Sequence, residues 1–104
     1  MKSLWELDLS NNQIKELFDS IQNLKSLWHL NLSNNQLKGI NIMQNLKSLL
    51  YLDLSNNQIN DINLLEYFKS LNELYLSNNK IKNIDSLYKL KALYKLFLFF
   101  IIRL

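Results

Sequence analysis

The sequence predicts an α/β solenoid in which short parallel strands, one per coil, alternate with short helical turns. Three observations carry that prediction. The string LxxLxL recurs at Leu4-Leu7-Leu9, Leu27-Leu30-Leu32, Leu49-Leu52-Leu54, Leu71-Leu74-Leu76 and Leu93-Leu96-Leu98. The first step between these strings is 23 residues and each later one is 22, a period at which one strand and one helical segment form a stacking unit. The chain has one glycine and no proline, yet four units place Ser-Asn-Asn directly after the string. Asparagine must therefore supply the positive-φ turn positions that glycine usually fills.

Each unit opens on its strand. Side chains alternate along a strand, so Leu7 and Leu9 are expected to point inward and Glu6 and Asp8 outward, with the same alternation in every later unit. Next come Asn12, Asn35, Asn57 and Asn79, each eight residues after the first leucine of its string. A carboxamide carries both a donor and an acceptor, which suits it to backbone groups left unpaired at a buried turn. These four are therefore expected to be a structural ladder and not catalytic. Aliphatic residues follow at Ile14, Leu37, Ile59 and Ile81 and again at Leu17, Ile40, Ile62 and Ile84. Asp19, Asn41, Asn63 and Asp85 then recur with a spacing of 22 throughout. Each suits a helix N-cap, and the apolar pairs behind them (Ile21 and Leu24, Met43 and Leu46, Leu65 and Phe68, Leu87 and Leu90) predict one turn of 3₁₀ or α-helix. The additional residue of the first unit must lie just before Asp19. Phe18 is expected there, as a small bulge.

The pattern LxxLxLSxNxIxxI at this period resembles the short class of the leucine-rich-repeat family, which includes regulatory subunits of protein phosphatase 1, a splicing-associated protein and bacterial internalins. The resemblance covers residues 1–98. It implies a right-handed horseshoe segment with a parallel sheet on the concave side and 3₁₀ or α turns on the convex side. One domain over 1–104 is expected, with units 4–26, 27–48, 49–70 and 71–92 and a partial unit 93–104. Met1-Lys2-Ser3-Leu4 aligns with the interior of later units, and Ile101 and Arg103 stand where the pattern calls for Asn and an aliphatic. Both ends are thus expected to be uncapped or truncated, because solenoids shield their last coils with polar surface. The apolar run Phe97 to Ile102 is expected to be either a cap or a truncation scar, and a point of self-association.

Composition narrows the function classes. Apolar residues make up 48% of the chain, enough for a core, and the net charge is only +3. The absence of cysteine removes disulfides, thiolate metal sites and thiol nucleophiles. The longest apolar run, Leu96 to Ile102, is far short of the ~20 residues of a membrane span. No signal-peptide pattern opens the chain, and a cytoplasmic or nuclear location is expected. His29 is the single histidine, with Glu6 and Asp8 on the neighbouring strand. A carboxylate beside an imidazole can be a general base or the start of a metal site, but no second histidine completes a ligand set and a flat sheet offers no pocket. No enzyme, cofactor, metal or small-molecule substrate is expected.

The outward strand positions carry the functional expectation, since the family resemblance implies that partners bind the concave face. Glu6, His29, Tyr51, Glu73 and Lys95 form one row, and Asp8, Asn31, Asp53, Tyr75 and Phe97 form another. Trp5, Trp28, Leu50, Asn72 and Tyr94 lie beside them, where the tryptophans either pack at the strand edge or offer contact surface. This face is acidic and aromatic, whereas Lys15, Lys25, Lys38, Lys47, Lys69, Lys82, Lys89 and Lys91 map to loops and the convex back. The expectation is a protein-interaction module of regulatory or scaffold type, taking a partner with basic and apolar groups through Glu6, Asp8, Trp28, His29, Asn31, Tyr51, Asp53, Glu73, Tyr75 and Lys95. Strands ~4.8 Å apart and ~17 Å long give on the order of 400 Å² for five strands, against about 800 Å² per partner in a standard interface. The flanking loops or further repeats are expected to contribute the rest. Nucleic-acid binding through the convex lysines is the alternative, disfavoured because aromatics and lysines map to opposite sides. A second alternative is a fragment of a longer repeat protein with no function of its own.

Overall fold

The computed structural model describes residues 4–97. It contains one parallel sheet of five three-residue strands in sequence order: β1 (Glu6–Asp8), β2 (His29–Asn31), β3 (Tyr51–Asp53), β4 (Glu73–Tyr75) and β5 (Lys95–Phe97). Register follows the repeat, with Leu7, Leu30, Leu52, Leu74 and Leu96 in line across the sheet. The ladder continues past the strands at both ends. Trp28 N–H donates to Trp5 C=O and Leu9 N–H to Asn31 C=O, both at 2.9 Å, and later units repeat the arrangement.

Between strands lie four 3₁₀ turns, η1 (Asp19–Asn23), η2 (Asn41–Met43), η3 (Asn63–Tyr67) and η4 (Asp85–Lys89). The sequence spacing explains why they are 3₁₀. Apolar residues fall at every third position, as in Ile62, Leu65, Phe68 and Leu71, and a helix with three residues per turn lines them up on one face. The matching bonds run from Leu65 N–H to Ile62 C=O, Phe68 N–H to Leu65 C=O and Leu71 N–H to Phe68 C=O, at 3.0–3.1 Å.

The N-cap expectation is corrected. Asp19, Asn41, Asn63 and Asp85 are the first residues of their turns; the capping positions are Phe18, Ile40, Ile62 and Ile84, and none makes a side-chain cap bond. The Asx residues that act locally are Asp61 and Asn83, whose Oδ1 atoms accept the N–H of Asn63 and Asp85 at 2.9 and 2.8 Å. A 3₁₀ bond of the i→i+3 type already uses the carbonyl ahead of the turn. The polar side chain is left best placed two residues upstream.

Phe18 absorbs the additional residue of the first unit. It takes the capping place that an isoleucine holds in the later units, but in an extended conformation (φ −72°, ψ 148°) where Ile40, Ile62 and Ile84 have ψ of 15–19°. Its carbonyl still accepts Ile21 N–H, and its ring stays 46% exposed.

The core is the stacked inward faces of the coils. In the third unit Leu49, Leu52, Leu54, Ile59, Ile62, Leu65 and Phe68 are all at most 1% exposed. Each full burial contributes about 1.5–3 kcal/mol before entropic costs. Leu4, Leu7, Leu9, Ile14, Leu17 and Leu24 of the first unit are only partly buried.

The two asparagines of each turn divide the work. The first, Asn11, Asn34, Asn56 or Asn78, sits at φ 58–60°, a left-handed conformation that asparagine tolerates better than other non-glycine residues. The second points inward. Asn57 Nδ2 donates to Leu32 C=O, Leu54 C=O and Ser55 C=O at 3.0–3.2 Å while its Oδ1 accepts Leu37 N–H at 3.0 Å. Asn35 and Asn79 do the same one unit earlier and later. Asn12 is exposed and bonds only to Leu9 C=O and Ser10 C=O of its own unit.

Candidate functional site

The outward strand residues form a continuous surface because register places equivalent positions side by side. Glu6, His29, Tyr51, Glu73 and Lys95 are successive partners across the sheet, as are Asp8, Asn31, Asp53, Tyr75 and Phe97. The placement of Lys95 in β5 is described, but its side chain is outside the described residues.

The second of these rows is partly occupied by the fold itself. Asp8 Oδ1 accepts Ser10 N–H at 2.9 Å and Ser10 Oγ–H at 2.6 Å. Asn31 holds Ser33 and Asp53 holds Ser55 in the same two-bond clasp. The Ser10 hydroxyl, followed by its amide, holds the Asp8 carboxyl below the usual range by stabilising the charged form. These three residues thus fasten the strand to the turn. The signal was present in the sequence as Asp-Leu-Ser and Asn-Leu-Ser, an Asx residue two positions before a serine.

In the fourth unit Tyr75 replaces that Asx, and the surface changes character. Tyr75 donates its hydroxyl to Glu73 Oε1 at 2.9 Å, and the Tyr94 hydroxyl reaches Glu73 Oε2 at 3.4 Å. Loss of solvent, and then the Glu73 carboxylate that accepts its proton, push the Tyr75 phenol up to about 12. Burial, followed by the charges of Asp53, Glu73 and Asp8, raises Tyr51 as well.

Rings connect across the strands. His29 and Tyr51 stack face to face at 4.0 Å and 3°, Tyr51 meets Tyr75 at 5.3 Å and 44°, and Trp28 stands at right angles to His29 at 5.8 Å. Trp5 is 62% exposed and Trp28 38%, so neither tryptophan is packed away at the strand edge. The geometry therefore brings together Trp28, His29, Tyr51, Tyr75 and Glu73, with Glu6 and Asp53 at their margins. Among the described residues no group of three His, Cys, Asp or Glu side chains is arranged to hold a metal ion.

The separation of aromatics from lysines needs correcting. Lys25, Lys47, Lys69 and Lys91 occupy one repeat position and are all exposed. Tyr67 of η3 and Tyr88 of η4 are both largely exposed, and Tyr67 lines one shallow hollow with Lys47, Gln44, Asn45 and Leu64. These two tyrosines lie at turn positions where other units carry polar residues, which hid them from a reading centred on the strands. Lys89 pairs with Glu66 at 2.9 Å; the contact raises the lysine and lowers the carboxyl.

Comparison with known proteins agrees with this architecture. Family models described as leucine-rich repeats match residues 1–37, 45–62 and 69–103. The internalin InlF of Listeria monocytogenes is 35% identical over 93% of this chain, with a TM-score of 0.89. Internalin C2 of Listeria monocytogenes is 34% identical over 89%, with a TM-score of 0.86. A leucine-rich-repeat protein of Leptospira interrogans is 32% identical over 88%, with a TM-score of 0.77. The chain spans 29%, 41% and 24% of the lengths of these three. No curated protein sequence matches it. No helix among the described residues is long and apolar enough to cross a membrane. By its repeat, its fold and these matches, the chain belongs to the leucine-rich-repeat family.

Proposed function

We propose that this leucine-rich-repeat segment is a protein-interaction module that takes its partner on the concave strand face, as a regulatory or scaffold element without catalysis of its own. The observation that carries this reading is the connected aromatic strip from Trp28 through His29 and Tyr51 to Tyr75. A half-buried aromatic patch of this kind, rimmed by carboxylates, is characteristic of interface centres. Glu6, Asp53 and Glu73 favour a partner with basic groups beside apolar ones, and Tyr51 and Tyr75 are the expected anchors. The strand face alone is smaller than a standard interface, so the partner also contacts the flanking loops or neighbouring repeats. The test is affinity capture with wild type and with Tyr51→Ala plus Tyr75→Ala, folding being checked by circular dichroism. Loss of the partner is expected; undiminished capture by the folded double variant refutes the concave face.

A second reading, nucleic-acid binding on the convex side, is favoured by one observation, the exposed row Lys25, Lys47, Lys69 and Lys91 with Tyr67 beside it. It demands that binding weaken steeply with salt, with a log–log slope of about −0.7 per phosphate contact for single strands. A gel shift with random RNA at two salt concentrations checks this. Self-association through the apolar run Phe97 to Ile102 is a further proposal; all of that run but the backbone of Phe97 lies outside the described residues, and sedimentation at high concentration tests it.

A further inference from the structure

His29 of β2 offers Tyr51 of β3 one broad face of its imidazole, at 4.0 Å and 3° from parallel. Its other broad face is therefore turned to β1, where Glu6 is its register partner and Asp8 lies two residues further along the same strand. The Trp28 ring closes one side at right angles. Glu6 and Asp8 are exposed. Asp8 uses only Oδ1 in its clasp on Ser10, and among the described residues neither Oδ2 nor the Glu6 carboxylate has a hydrogen-bond partner. This corner has three parts: a flat ring face, an upright indole wall and two carboxylates across one strand spacing.

We propose that this corner is a slot for an arginine side chain of the partner, its guanidinium stacked on the β1-facing side of His29 and bridging Glu6 and Asp8. The inference rests on the concave-face reading above. A guanidinium suits the corner better than an ammonium ion because it is planar, stacks on ring faces and donates in a fork that matches carboxylates. A lysine would keep the charge attraction and lose the stack and the fork.

The probes are two synthetic peptides of equal length and charge, one alternating arginine with leucine and one alternating lysine with leucine. Titration of the whole chain at constant ionic strength is followed by tryptophan fluorescence, to which Trp28 reports directly. At pH 7.5 the arginine peptide is expected to bind about fivefold tighter than the lysine peptide. His29→Phe keeps a ring to stack on and is expected to retain that preference, whereas His29→Ala is expected to lose it. Glu6→Gln is expected to weaken arginine binding. Equal affinity of wild type for the two peptides, or an undiminished arginine preference in His29→Ala, overturns the arginine slot. If Tyr51→Ala still weakens both peptides in that case, the concave-face reading survives. Binding of neither peptide also overturns the slot, and the concave-face reading is then decided separately by whether the double tyrosine variant loses its captured partner.

Discussion

Replacing Asn57 by alanine tests the reason the repeat keeps an asparagine at this position. The side chain is 7% exposed and makes four bonds. Their losses are unequal. Leu32 C=O keeps a donor in Asn35, and Leu54 C=O keeps one in Asn79, because each of these carbonyls is shared by two ladder asparagines. Ser55 C=O still accepts Asn34 N–H. The Leu37 amide has no second acceptor and becomes an orphaned buried donor, which costs about 1–3 kcal/mol. With the weaker carbonyl contacts added, Asn57→Ala should lose about 2–3 kcal/mol, or roughly 10–20 °C in Tm at this chain length. Asn12→Ala supplies the control. Asn12 accepts no amide from a neighbouring coil, and Leu9 C=O retains Asn35, so its loss should stay below about 1 kcal/mol. Urea titrations followed by circular dichroism measure both. Equal destabilisation of the two variants would show that local turn preference, and not the inter-coil amide bond, fixes asparagine here.

Further outcomes follow from the same structure. Deleting Phe18 should leave Tm within a few degrees of wild type, because the ring is nearly half exposed and the deletion restores the spacing of the other units, whereas deleting Asn41 from a regular unit should abolish cooperative melting. At Asn56, with φ 58°, glycine should be tolerated and valine should cost about 1–2 kcal/mol in a denaturant titration. Leu52→Ala, at a fully buried site on the central strand, should lose about 2–5 kcal/mol. Tyr75 keeps its proton to about pH 12 in the folded chain, so its contribution to stability is complete below the unfolded value of ~10 and is lost as pH rises through 12. Tyr75→Phe should remove the latest phenolate step in an absorbance titration and flatten the fall in Tm over that range.

Most of the fold was legible because each structural demand is repeated. A core position announces itself as leucine in unit after unit, and strand register follows from the period alone: His29 and Tyr51 lie 22 residues apart and are neighbours. Less legible was what a side chain does when two physical roles share one residue type. Asp8, Asn31 and Asp53 alternate outward like surface residues, yet each is bonded to a serine two residues on. Asp19 and Asn41 look like helix caps, but in a 3₁₀ turn the capping position falls one residue earlier, on Phe18 and Ile40. Ring contacts at 4.0 Å depend on rotamers, which periodicity does not encode.

A solenoid offers its own means of separating scaffold from site, since equivalent positions in successive coils meet nearly the same surroundings. Where the fold dictates a residue, the coils should agree; where it does not, they are free to differ. Leu7, Leu30, Leu52, Leu74 and Leu96 agree without exception, and so do the four ladder asparagines. The row of Asp8, Asn31 and Asp53 agrees for three coils because each holds a serine, then breaks at Tyr75. The row of Glu6, His29, Tyr51, Glu73 and Lys95 hardly agrees in side chain at all, although its backbone is equivalent from coil to coil, with the N–H of His29, Tyr51 and Glu73 donating to the C=O of Trp5, Trp28 and Leu50. Disagreement at outward positions combined with mutual contact of the rings is what a surface shaped for a partner should show, because the stacking of coils cannot have required it. On this argument the proposed partner surface narrows to Glu6, Trp28, His29, Tyr51, Glu73 and Tyr75. Asp8 and Asp53 add charge to that surface from positions they occupy for the sake of the turn.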